Sequence, residues 1–244
     1  MSTTHTSIVV SYDGTHNEDD AVALGRVFAQ AGADVSLAYV RHAPEAEVDR
    51  EALAESEAEE LLRRGAALLG GHEVGRHVVT DRSTPEGLRK IAEQVGASAV
   101  VFCSDSHTAR GHIAIGNSAR RLIEGGPLAV AIAPAGYAAS GASTPRSIAI
   151  DDREESSAHA TATSLAASVG ASVTAAIETA DLLVVGSRPE AGAGRVGLSS
   201  ASEHVIEGVA RCPVLVLPRG AQLSFAGEDL SSAPDGSGGV PIVA

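Results

Sequence analysis

A chain of 244 residues, 44% of them hydrophobic, can fill one large core or two small ones, which excludes wholesale disorder. Asp and Glu outnumber Lys and Arg by 31 to 18, a formal charge of −13, and there is no Trp. So acidic a surface repels phosphodiester backbones and anionic lipid, which argues against nucleic acid and membrane as partners.

Ser7 to Asp13 is an apolar run ending in Asp-Gly, the pattern of a buried strand that stops at a turn. A helix follows, with Asn17 as its cap, Glu18, Asp19 and Asp20 at its positive end, and Gly32 closing it. Residues 34–40 read as a second strand, 45–69 as a long helix with Arg63 and Arg64 towards its end, and 73–79 as a weakly marked third strand. Thr84 is the expected cap of the next helix, with Pro85 at its first position and Leu88, Ile91 and Val95 on one face. A buried strand over 97–104, a short helix over 117–124 and a fifth strand over 128–133 complete this unit. Strand alternates with helix, and continuous apolar strands need cover on both faces, so the fold class is α/β with a doubly wound parallel sheet.

A second unit repeats the first. Ile123-Glu-Gly125 recurs as Ile206-Glu-Gly208, and the strand at Val100 to Phe102 as Leu183 to Val185, both at an offset of 83. The opening strand recurs as Ile148-Ala-Ile at an offset of 140, so the second copy lacks 57 residues from its middle. Only Glu178 to Ala180 separate an apparent strand at 172–177 from the strand that begins at Asp181, and a parallel crossover takes about a dozen residues. The second unit is therefore expected to hold three strands, 147–151, 181–186 and 214–217, with a broken helical crossover over 154–180. The expected division is a complete unit over 1–138, a shortened one over 145–219 and a mobile Gly/Ser/Pro-rich tail over 220–244.

The tandem units, the strand ending in Asp13-Gly14, and the stretches DLLVVGSR and CPVLVLP of the second unit resemble the universal stress proteins over about residues 6–136 and, shortened, 146–219. The resemblance implies a five-stranded parallel sheet of the adenine nucleotide alpha hydrolase-like kind. It also implies, in ATP-binding members, G-x2-G-x9-G-[ST] after the fourth strand, where glycines let backbone N–H groups approach phosphate at a helix N-terminus. Here the first unit reads Cys103-x2-Ser106-x9-Gly116-Asn117, followed by Ser118, and the second reads Gly186-x2-Pro189-x9-Ser199-Ser200. Pro189 removes an N–H, and Ser199 puts a side chain where backbone should come close. Asp13 and Val40 match the family positions whose side chain and backbone hold base and sugar, although Asp13 reads equally well as the cap of its own turn. The second-unit counterpart of Asp13 is either Asp152 or Arg153.

Carboxylates crowd both crevices: Glu18, Asp19, Asp20 and Asp105 in the first, and Asp151, Asp152, Glu154, Glu155 and Glu190 in the second. Each costs a nearby phosphate on the order of 1 kcal/mol when solvated. Arg110, Arg120 and Arg121, or Arg188 and Arg195, are the residues that could offset this. Asp105, His107 and His112 could form a metal trio but read better as a solvated loop, and no G-x-S-x-G elbow accompanies Ser104-Asp-Ser-His107. Cys103 and Cys212 lack CxxC or zinc spacing and read as buried thiols. Neither a leader pattern nor an apolar run of about 18 residues is present, so a cytoplasmic location is expected.

The expectation is a non-catalytic regulatory or interaction protein of stress response, binding no cofactor, whose degenerate nucleotide site comprises Asp13, Val40, Ser106, Gly116, Asn117 and Ser118. The units should pair through their fifth strands, with a homodimer and an unidentified protein partner left open. One alternative is an ATP- or AMP-binding sensor using the first crevice. The other is an enzyme of adenylate chemistry, for which no residues stand out.

Overall fold

Every central strand buries both of its faces. In β1 (Ser7–Ser11), Ile8 and Val10 enter one core and Val9 the other, all with no exposed surface. The protein, seen here in a computed structural model, is described over residues 6–15, 17–42, 48–70, 74–141, 144–151 and 156–225. β1 lies between β2 (Asp34–Arg41) and β4 (Ala99–Cys103), with β3 (Gly75–Thr80) beyond β2 and β5 (Ala129–Ala133) beyond β4, all parallel. A second parallel run holds β6 (Ser147–Asp151), β7 (Ser172–Thr174), β8 (Leu182–Val185) and β9 (Val214–Val216) in the order β9-β8-β6-β7. One antiparallel join, β5 to β9 with Ala131 opposite Leu215, unites them in a nine-stranded sheet. The α/β class and the meeting of the fifth strands are as the sequence led us to expect.

α1 (Glu18–Gln30), α2 (Val48–Leu68) and α5 (Ser156–Val169) cover one face, and α3 (Thr84–Val95) and α4 (Asn117–Ile123) the other. A Cβ at Gly25 would come 2.7 Å from Val10 Cγ2, so glycine there lets α1 rest directly on β1. Two expected caps differ. Asn17 occupies the N-cap of α1 without a side-chain bond, and Ser83 rather than Thr84 is the N-cap of α3, which moves Pro85 to the second helical position.

The second run contains a strand that chain-length reasoning had rejected. β7 pairs in parallel with β6, Ser147 beside Ser172. The dozen-residue crossover presumes a full strand to retrace, whereas β7 has three residues beside the start of β6. The return is short, and residues 175–181, which can span about 24 Å, make it through one 3₁₀ turn, Ile177–Thr179. Ile177 packs on the face opposite α5.

The segment after Arg219, expected to be mobile, is docked over residues 220–225. Leu223 and Phe225 are buried, and the Phe225 ring stacks on Phe28 with centroids 5.9 Å apart. The Leu223 and Phe225 N–H groups donate to Thr161 Oγ1 and Ser164 Oγ at 3.1 and 2.9 Å, and Thr6 Oγ1 donates to the Ser224 carbonyl at 2.6 Å. Two alternating apolar side chains inside a polar stretch suffice to dock it. Residues 226–244 lie outside the described residues. Among the described residues no helix is long and apolar enough to cross a membrane.

Candidate functional site

In an open α/β sheet, ligands sit beyond the carboxyl ends of the strands where the order reverses, here between β1 and β4. β1 ends one residue before Tyr12, whose N–H donates to the Ala38 carbonyl at 2.9 Å. Backbone groups alternate in direction along a strand, so those of Val40, two residues on, turn to the same side, into the space beyond β1. The Val40 side chain is buried under α3. Asp13 is exposed, and its Oδ1 accepts the Thr15 N–H at 2.9 Å, so it does cap its own turn.

Two of the carboxylates, Glu18 and Asp20, do not crowd this crevice as their positions in sequence suggested. Glu18 is buried and accepts the N–H groups of Asp13 and Gly14. Burial, then the neighbouring Asp13 charge, pushes its pKa up to about 9, so it is neutral at pH 7. Asp20 is buried and turned away, accepting the Gly136 and Ala138 N–H groups, each at 2.7 Å. Asp105 serves its own loop through the His107 N–H at 3.2 Å. The same surroundings act on Cys103, whose thiol burial and the Glu18 and Asp13 charges push up to about 12. Cys103 is half-buried rather than buried as expected; Cys212 is buried, and burial likewise holds its thiol near 12. Neither sulfur is a thiolate at neutral pH.

The raised Glu18 pKa has a measurable result. Between 4.5 and about 9 the folded chain holds a proton that the unfolded chain has lost, so stability falls as pH rises through that window. The slope is at most about 1.4 kcal/mol per pH unit. Glu18→Gln keeps an acceptor without the titration, and urea unfolding at about pH 5 and about pH 8.5 should show the slope flattened in the variant.

Beyond β4, Ser106 is exposed in a turn, and Gly116, Asn117 and Ser118 form the start of α4. Gly116 has φ −63°, which any residue adopts, and a Cβ there would meet nothing within 4 Å. Among the described residues no side chain caps the N-terminus of α4. An open cleft of about 470 Å³ lies against it, lined by His42, Arg82, Thr84, Asn117, Ser118 and Arg121. The structure thus places Gly116, Asn117 and Ser118 together, with Asn117 and Ser118 on this cleft, and Ser106 away from its lining.

Arg120 does not wait there for an anion. Its guanidinium reaches Glu207 at 3.4 Å and Glu203 at 3.9 Å, both from the second unit, and Glu207 also accepts the Ile115 N–H at 3.0 Å. Sequence reasoning saw Glu207 only as part of a repeated Ile-Glu-Gly, which marks where it lies along the chain and not what it touches. The corresponding loop of the second unit is closed on itself and on its neighbour. Ser199 Oγ accepts the Ser202 N–H at 3.1 Å and caps α6 (Ser200–His204). Val196 exchanges backbone bonds with Gly126 and Gly125, and Arg195 donates to the Gly125 carbonyl at 3.2 Å. Asp151 is buried and accepts from Ser202 Oγ at 3.1 Å. Asp152, Arg153, Glu154 and Glu155, and with them either counterpart of Asp13, lie outside the described residues. Among the described residues no group of three His, Cys, Asp or Glu is placed to hold a metal, so Asp105, His107 and His112 do not form a trio.

Comparison with known proteins follows the same lines. The sequence model of the universal stress protein family matches residues 5–134. A universal stress protein of Mycobacterium tuberculosis is 36% identical over 93 residues, 38% of this chain and 32% of the relative. The match thus spans about a third of the length of such curated relatives. The crystal structure of a universal stress protein from Archaeoglobus fulgidus superposes with a TM-score of 0.54 at 16% identity, covering 88% of this chain and 98% of that one. A Pseudomonas aeruginosa protein of unknown function gives 0.55 at 15% identity, covering 88% and 93%. At these identities the structures share the fold.

Proposed function

Since the chain belongs to the universal stress protein family, we propose that it acts in stress response, in the cytoplasm, as a non-catalytic regulatory or interaction protein whose nucleotide crevice is degenerate. The observation that carries this reading is Glu207. Its carboxylate sits on the Ile115 N–H and the Arg120 guanidinium, beside Gly116, where phosphate oxygens would need the donors. A triphosphate would have to displace that carboxylate and then lie near it, at a cost of about 1 kcal/mol per charge pair in water and several in a drier crevice. The second unit, 145–219, serves mainly as a structural partner of the first, 1–138. It covers the edge that β5 would otherwise expose, and with β9 on that edge a second copy cannot pair there.

Isothermal titration with Mg²⁺-ATP tests this. Dissociation weaker than about 1 mM, under about 4 kcal/mol of binding, is the expected result, and saturation in the micromolar range would defeat it. A nucleotide sensor is the second reading. It is favoured by the open cleft at Asn117 and Ser118, by Arg82 and Arg121 on its wall, and by the withdrawal of Glu18 and Asp20. AMP, smaller and less charged than ATP, is the ligand that this cleft would take first, and the same titration with AMP separates the readings.

A further inference from the structure

The seam between β5 and β9 opens into a second cleft, of about 450 Å³, at the carboxyl end of β5. It arises from two prolines. Pro134 leaves β5 and Pro213 enters β9 just past the last ladder pair, Ile132 with Val214, and neither has an N–H to extend the pairing. At the opposite end of the seam the gap is closed, because Val196 pairs with Gly125 and Gly126 in both directions. The residue related to Val196 by the 83-residue offset is Ile113, and among the described residues it makes no such pair.

Two guanidinium groups face this opening without a carboxylate partner among the described residues. Arg211 is held rigidly, donating from Nη1 to the Ala210 carbonyl at 2.8 Å and from Nη2 to the Gly208 carbonyl at 3.1 Å. The Arg110 stem lies across Gly136, where a Cβ would come 2.7 Å from its Cγ, and φ +78° at Gly136 also favours glycine. Arg110 itself has no hydrogen bond or ion pair among the described residues. Asp181 is the one carboxylate in the lining, and it is already satisfied by the Arg146 N–H, the Ser147 N–H and Ser147 Oγ at 2.9–3.0 Å. The walls are preformed: Gly111 and His112 pair with Ala135, and Asp20 clamps Gly136 and Ala138. Tyr137 also lines the cleft, and burial pushes its hydroxyl up to about 12. Two arginines with no opposing charge to spend, in a chain of formal charge −13, mark a place for an anion.

We propose that this cleft binds a small oxyanion, a phosphate or a carboxylate group, held by Arg110 and Arg211. The volume admits a metabolite-sized ligand carrying that group. The site shares no residue with the cleft at Asn117 and Ser118 and does not depend on the fate of the nucleotide crevice. Amide NMR shifts of Gly111 and Gly136, followed at constant ionic strength during titration with inorganic phosphate, malonate or chloride, provide the test. Saturable shifts with phosphate, malonate or both, at or below about 5 mM, are expected, and the stronger of the two identifies the source. Arg110→Gln and Arg211→Gln should each weaken the response about tenfold, and Arg110→Gln, which breaks no hydrogen bond among the described residues, should do so with the unfolding midpoint unchanged. Shifts that never saturate, that chloride reproduces, or that persist undiminished in both variants would overturn the proposal.

Discussion

Replacing Asp20 by alanine is expected to destabilise the protein by about 3–5 kcal/mol. The residue is 4% exposed, and both of its oxygens are used, Oδ2 on the Gly136 N–H and Oδ1 on the Ala138 N–H at 2.7 Å each. Bonds to a charged acceptor contribute about 1.5–3 kcal/mol each, and alanine would leave both donors without a partner in a part-buried loop. Asp20 also lies in the first turn of α1, where a carboxylate complements the positive end of the helix. Asn at this position supplies one acceptor but turns an NH₂ group towards the second N–H, so Asp20→Asn should lose at least half as much. Urea unfolding of the two variants measures both, and a loss below about 1 kcal/mol for Asp20→Ala would show that the clamp on the loop after β5 is dispensable.

Phe225→Ala should cost about 3 kcal/mol, and truncation after Arg219 at least as much. Phe225 is 7% exposed and stacks on the fully buried Phe28, while Leu223, 5% exposed, joins the same core as Ile148 and Leu165. Removing a buried phenyl ring forfeits its transfer free energy and leaves a cavity beneath α1 and α5 that the helices fill only in part. Truncation also strands Thr161 and Ser164, whose hydroxyls accept from the docked segment. Thermal melting measures both changes. A segment that merely trailed in solvent could be removed with the midpoint unmoved, so an unchanged midpoint would refute the docking of residues 220–225.

Much of the architecture is written locally. Ile8 to Val10, Val100 to Phe102 and Leu183 to Val185 are apolar on both faces, and only a sheet covered by helices on each side can bury them. The 83-residue offset already paired strand with strand, and the prolines around 128–133 and 214–217 already marked the strands that would meet. The starts of α1, α3 and α4 were legible to within a residue, because caps and prolines act on their immediate neighbours.

The crevice was legible only as a set of residue types, since a carboxylate has no period by which its destination can be read. Glu18 caps a loop four residues away and becomes neutral. Asp20 binds backbone 116 and 118 residues on, and Glu207 reaches Ile115 across 92 residues. In sequence Glu18 and Asp20 looked alike, as negative charge near an anion site, and Glu207 was only one position of a repeat. Their roles follow from which N–H groups the folded chain leaves without a partner at that spot, and from how far water is excluded around them. Sequence alone therefore determined the layers, the repeat and the strands at the seam, because burial patterns repeat at short intervals. Tertiary structure alone decided whether each charge would serve a ligand, a backbone amide or the other unit, because that choice belongs to groups brought together from distant parts of the chain.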